Sequence, residues 1–129
     1  MNESDLVAGA SAILAALKNE PFGKFDPREL VGAIISAVNL CEVLSKLSDD
    51  GLNEPQADAA ASGMDLRVAV FDGPQAHAAA RLRATTRHAG LSLADRACLA
   101  LAQTLGRPAV TADRAWARLD LGVAIVLIR

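Results

Sequence analysis

Short runs of β-branched and aliphatic residues alternate along this chain with longer Ala- and Leu-rich runs of helical spacing, and that alternation limits the fold more than any other feature. Strand, helix and strand in succession favour βαβ units, in which strands lie parallel and helices cover the sheet. With 129 residues, 52% of them hydrophobic and 22% charged, the chain suits one compact domain over residues 1–129 with a single well-developed core.

The elements follow from local pattern. A strand is expected from Asp5 to Ala8, then a helix from Ser11 to Asn19 with Ile13, Leu14 and Leu17 on one face, broken by Pro21 and Gly23. Asp26-Pro27 has the form of an N-cap followed by proline at the first helical position, which predicts a short helix at Arg28 to Val31 before a strand from Ala33 to Val38. Leu40, Val43, Leu44 and Leu47 share a helical face, and Asp50-Gly51 closes that helix. Further on, the pattern predicts a helix Glu54 to Ser62, a strand Leu66 to Phe71, and a helix Pro74 to His88 ended by Gly90. A helix Leu93 to Leu105, a short strand Ala109 to Thr111, a turn around Trp116 and a last strand Val123 to Ile128 complete five strands and about five helices.

Several classes drop out. The longest apolar stretches, Val31 to Val38 and Leu121 to Ile128, fall far short of the roughly 20 residues that span a bilayer. The start Met-Asn-Glu-Ser-Asp lacks the positive and apolar regions of a secretory signal, so a cytoplasmic location is expected, with no membrane contact. Cys41 and Cys98 are the two cysteines, each in an apolar helical run and neither in a CxxC or Cys/His array, which predicts two buried thiols rather than a disulfide or a zinc site. A formal charge of −2 argues against gripping nucleic acid by global positive charge. His77 and His88 have no nearby Ser or Cys nucleophile pattern, and Trp116 reads as a packing residue rather than a base-stacking platform.

In an open parallel sheet ligands settle beyond the carboxyl ends of the strands, so acidic residues just after strands carry the most interest. Glu42 lies one turn into the helix after the second expected strand, Asp95 at the start of the helix Leu93 to Leu105, and Asp113 directly after Ala109 to Thr111. Each also has a plain structural explanation. Asn39 with Glu42, and Ser92 with Asp95, have the spacing of capping boxes, and Asp113 suits an N-cap. If the sheet gathers all three at one edge, their mutual repulsion calls for a cation, and a hard divalent ion with oxygen ligands is the simplest one.

The segments Ser-Ala-Val-Asn-Leu-Cys-Glu-Val-Leu-Ser-Lys-Leu, Gly-Leu-Ser-Leu-Ala-Asp-Arg-Ala-Cys-Leu-Ala-Leu-Ala and Thr-Ala-Asp-Arg-Ala-Trp resemble the PIN domains of VapC toxins in residues, order and spacing, and the similarity runs from Leu6 to Arg129. The resemblance implies a PIN-like three-layer α/β/α sandwich around a central, mainly parallel five-stranded sheet. It implies a Mg²⁺- or Mn²⁺-dependent endoribonuclease, a homodimer, and a cognate VapB-like antitoxin whose amphipathic tail lies in a groove of the toxin. By the same resemblance Glu42, Asp95 and Asp113 are catalytic metal ligands, with Asn39, Ser11 and Thr111 as polar groups behind them.

One position departs from the family. Its first strand ends in a hydrophobic-Asp-Ala-Ser-Ala pattern, whereas this chain reads Val7-Ala8-Gly9-Ala10-Ser11-Ala12, with Gly9 where a metal-binding Asp is expected. Asp5 is four residues earlier, about 13 Å away along a strand at about 3.3 Å per residue, and is a poor substitute. Weak or absent nuclease activity is the expectation, and a non-catalytic PIN protein that binds RNA or an antitoxin is the rival. Arg81, Arg83, Arg87 and His88 mark one helix, and Arg96, Arg114 and Arg118 flank the acidic residues; Arg87, Arg96 and Arg114 are the candidates for RNA phosphates, a solvated helix face being the alternative. A receiver-like signalling domain also clusters acids at a sheet edge, but it needs a lysine near the last strand and none is there.

Overall fold

The computed structural model describes residues 4–129. Its five strands are β1 (Val7–Ala8), β2 (Ile34–Ser36), β3 (Arg67–Ala69), β4 (Ala109–Thr111) and β5 (Ile125–Leu127), and every pairing is parallel, in the order β3-β2-β1-β4-β5. The helices are α1 (Ala10–Leu17), α2 (Ala37–Asp49), α3 (Glu54–Ser62), α4 (Gly73–Thr86) and α5 (Leu93–Leu105). Three 3-10 turns join them at Pro27–Leu30, Arg87–Ala89 and Arg114–Arg118.

Successive strand residues point to opposite faces, and here they enter two separate cores. Ala8, Ile35 and Val110 join α1, α2 and α3 in one cluster, while their neighbours Val7, Ile34 and Ala109 join α4, α5 and Trp116 in the other. This is the expected three-layer α/β/α arrangement of the PIN type. Among the described residues no helix is long and apolar enough to cross a membrane.

Most elements lie where the pattern puts them; α3, α5 and β4 match their expected bounds residue for residue. The second strand is shorter than Ala33 to Val38: it ends at Ser36, whose hydroxyl accepts from Val38 N and starts α2 at Ala37. Ser36, not Asn39, is therefore the cap of α2, and Asn39 with Glu42 forms no capping box. The strands Leu66 to Phe71 and Val123 to Ile128 likewise shrink to Arg67–Ala69 and Ile125–Leu127. The Asp26-Pro27 reading holds, with Asp26 accepting from Arg28 N.

The cysteines divide. Cys98 is fully buried on α5, but Cys41 is exposed on α2, contrary to the expectation of two buried thiols. Burial pushes the Cys98 thiol up to about 12, and the charges of Asp95 and Glu42 push it the same way. Because only the thiolate reacts, a thiol-specific reagent at pH 8 is expected to modify Cys41 in the folded chain and Cys98 only after denaturation. Two fast equivalents from the native protein would contradict this packing.

Candidate functional site

Strand order turns at β1, which has β2 on one side and β4 on the other. Such a switch opens a crevice beyond the carboxyl ends of the strands. The sequence sends four segments there. Gly9 follows β1 and caps α1, Asn39 and Glu42 lie in the first two turns of α2, Thr111 ends β4 with Asp113 just after it, and Asp95 lies in the first turn of α5. Gly9, Ser11, Asn39, Glu42, Asp95, Thr111 and Asp113 all line one cleft of about 190 Å³. Lys46, Leu14 and Trp116 line it too.

A polar lattice fixes the walls. Asn39 is 2% exposed, and its Nδ2 donates to Ala94 O at 2.9 Å, joining α2 to α5 and so setting Glu42 opposite Asp95. The Ser11 and Thr111 hydroxyls lie 3.3 Å apart; the first accepts from Ala112 N and the second from Asp113 N. They hold the turn after β4 against the start of α1.

The carboxylates are less uniform. Asp95 accepts from Ser92 N at 3.1 Å while Ser92 Oγ accepts from Asp95 N, a complete capping box. Asp113 Oδ1 accepts from Ala115 N at 3.0 Å and caps the turn at Arg114–Arg118. Capping therefore accounts for the present orientation of both, but it does not account for Glu42, which is half-buried on α2.

Whether these residues suit a divalent cation is a question of donor type and convergence. The type is right: three carboxylates, together with Asn39 Oδ1, which is buried without a hydrogen-bond partner. Oxygen donors with net negative charge are what Mg²⁺ and Mn²⁺ select. Convergence is incomplete, since among the described residues no three His, Cys, Asp or Glu side chains close on one point. Two carboxylates are turned toward backbone donors, and Gly9 contributes no side chain. The set fits a hard cation in kind and would hold it loosely.

The expected arginine rim divides, with Arg114 apart from Arg87 and Arg96. Arg96 is 8% exposed and donates from Nη1 to Ala79 O at 3.0 Å, so it ties α5 to α4 rather than standing at the surface. Arg114 is exposed but its Nη1 donates to Arg129 O. Arg87 is exposed on the turn after α4. Asp5 lies outside the cleft and pairs with Arg107. Trp116 is 2% exposed, a packing residue as its sequence context suggested. Lys46 was the charged cleft residue not anticipated, although its spacing of four from Glu42 puts it on the same helical face.

No curated protein matches the chain in sequence. Solved structures do match in fold. A chain of VapBC2 from Rickettsia felis, bound to a DNA fragment from its promoter, superposes with a TM-score of 0.73 at 17% identity over 93% of this chain and 96% of its own. DNA-bound VapBC from Salmonella typhimurium gives 0.72 at 20% identity over 97% of both. VapC20 from Mycobacterium tuberculosis, described as a sarcin-ricin loop cleaving toxin, gives 0.62 at 15% identity over 92% of this chain and 98% of its own. At such identities the likeness is one of fold, but the sequence pattern of the PIN domain matches residues 8–121. That span takes in Gly9, Glu42, Asp95 and Asp113, and so this chain belongs to the PIN domain family.

Proposed function

We propose that this chain is a VapC-like toxin, a metal-dependent endoribonuclease attenuated by Gly9 and neutralised by a cognate VapB-like antitoxin in the cytoplasm, acting as a homodimer. The observation that carries the reading is the assembly of Glu42, Asp95, Asp113 and the unpartnered Asn39 Oδ1 on one cleft from separate segments of the chain. Further support comes from the VapBC assemblies of similar fold and from the cleaving toxin VapC20 among them.

When bound, Mg²⁺ or Mn²⁺ supplies Lewis-acid polarisation and offsets charge on a scissile phosphodiester. The chain's own part is positional. Glu42, Asp95 and Asp113 would hold the cation, Asn39 keeps α2 against α5, and the Ser11 and Thr111 hydroxyls brace the turn that carries Asp113. With Gly9 in place of a fourth carboxylate, orientation of the attacking water suffers and rate falls with it.

A second reading, a non-catalytic PIN protein that binds RNA or an antitoxin, is favoured by Lys46 in the cleft and by the capping bonds of Asp95 and Asp113. Metal titration separates the two. Glu42→Gln is expected to weaken Mn²⁺ binding by about tenfold or more, as loss of a charged ligand does, and to remove residual RNA cleavage. A parent chain that takes up no Mn²⁺ and cleaves no RNA would leave the second reading standing.

A further inference from the structure

Beside the carboxylate cleft lies a second pocket of about 200 Å³, lined by Arg83, Thr86 and Arg87 from the end of α4, Gly90 and Leu91 beyond it, and Arg96 on α5. No acidic residue lines it. The ion pairs among the described residues involve Lys18, Arg28, Arg107 and Arg129, so none of these three arginines has a carboxylate partner. Arg96 is the pointed case. It is 8% exposed, one nitrogen donates to Ala79 O, and its Nε is buried with no acceptor. A buried guanidinium without a countercharge is costly, and a bound anion relieves that cost.

The position of this pocket names the anion. Asp95 lines the acidic cleft and the next residue, Arg96, lines the basic pocket, so a single residue step along α5, about 100° of helix rotation, separates them. We propose that the Arg83, Arg87 and Arg96 pocket is a phosphate subsite for the backbone of single-stranded RNA, receiving a phosphate away from the scissile one. The assignment rests on the ribonuclease reading for its choice of RNA, and it replaces the scattered rim of Arg87, Arg96 and Arg114 with a built pocket in which Arg83 takes the place of Arg114. Phosphate contacts of this kind position a strand without reading its sequence.

The test is metal-free binding of a short single-stranded RNA, in EDTA, so that cleavage plays no part. Arg83 and Arg87 are exposed, and the double variant Arg83→Gln/Arg87→Gln should fold as the parent does, checked by circular dichroism. Removing two of the three charges around that phosphate is expected to weaken binding about tenfold or more at low salt and to flatten the salt dependence by about 0.7, the share of one phosphate. The charge-matched Lys24→Gln/Arg28→Gln, also at exposed positions, should change affinity by less than about twofold on the same grounds. Equal affinity and slope in the parent and the Arg83/Arg87 variant overturn the proposal, as does a parent chain that binds no RNA. Inorganic phosphate that raises the parent's melting temperature but not the variant's, with RNA affinity unchanged, makes the pocket a free-anion site and overturns the RNA assignment. Because no metal is present, loss of cleavage in the Glu42→Gln experiment leaves this result untouched.

Discussion

Gly9→Asp is expected to raise Mg²⁺-dependent cleavage of single-stranded RNA by about 100-fold or more over the parent chain, the scale on which a misplaced reacting group costs rate. The backbone at position 9 accepts a side chain, with φ −78° and ψ 158°. Space is the constraint: a Cβ there would stand 3.1 Å from Val110 O, 3.8 Å from Cys98 Sγ and 3.9 Å from Trp116 Cη2. Since Gly9 N already donates to Val110 O at 2.8 Å, β4 must give by a few tenths of an ångström, and the variant should melt lower than the parent. Gly9→Ala isolates that strain, so it should lose the same stability and gain no activity.

The new carboxylate also adds like charge beside Glu42, Asp95 and Asp113, which a cation would offset. Mg²⁺ should therefore stabilise Gly9→Asp and raise its melting temperature, by about 2.7 kcal/mol of unfolding free energy at a concentration 100 times its dissociation constant, while Gly9→Ala gains far less. Cleavage is the deciding measurement. If Gly9→Asp is stabilised by Mg²⁺ and still leaves RNA intact, attenuation at position 9 is the wrong account of this chain and the non-catalytic reading gains.

Much of this architecture was legible because βαβ units leave two periods in the sequence. The ends of α3 and α5 were written by Asn53 and Ser92 as caps and by Gly106, whose φ of 63° closes α5 in a conformation glycine adopts without strain. The end of β2 was not, because Ile34 to Val38 is apolar apart from Ser36 and suits a buried strand or a buried helix turn equally. Only the packing of α2 on the sheet decides that Ala37 is helical. The same shift explains the wrong cap, since a helix thought to start near Leu40 made Asn39 its natural N-cap, the residue whose side-chain oxygen accepts from a backbone N–H of the first turn. Cys41 was legible and overlooked: it shares its helical face with Ser45 and Ser48, not with Leu40, Val43 and Leu47. For the site, each acid could be found from its place after a strand. Asp95 and Asp113 serve backbone donors as their cap spacing suggested, whereas Glu42 does not, because α2 is capped by Ser36 and not by Asn39.

Trp116→Ala is expected to destabilise the chain by about 3 to 5 kcal/mol, the usual cost of emptying a large aromatic site, and to lower the melting temperature by roughly 10 to 20 °C in calorimetry. The indole is 2% exposed and sits in the core that includes Leu99, Leu101 and Ala109. Its Nε1 is buried without an acceptor, so Trp116→Phe forfeits volume but no hydrogen bond and should cost only about 1 to 2 kcal/mol. A fall of less than about 3 °C on going to alanine would mean that the ring does not support the core with Leu99, Leu101 and Ala109 as its burial indicates. The same ring borders the space a side chain at position 9 would need, 3.9 Å from the Cβ position. Trp116→Phe should therefore relieve part of the strain introduced by Gly9→Asp, and the double variant should be more stable than the sum of the single losses by about 0.5 kcal/mol or more. Strict additivity would place the strain on the β4 backbone alone, at Val110 O, and would remove Trp116 from any account of why a glycine occupies this position.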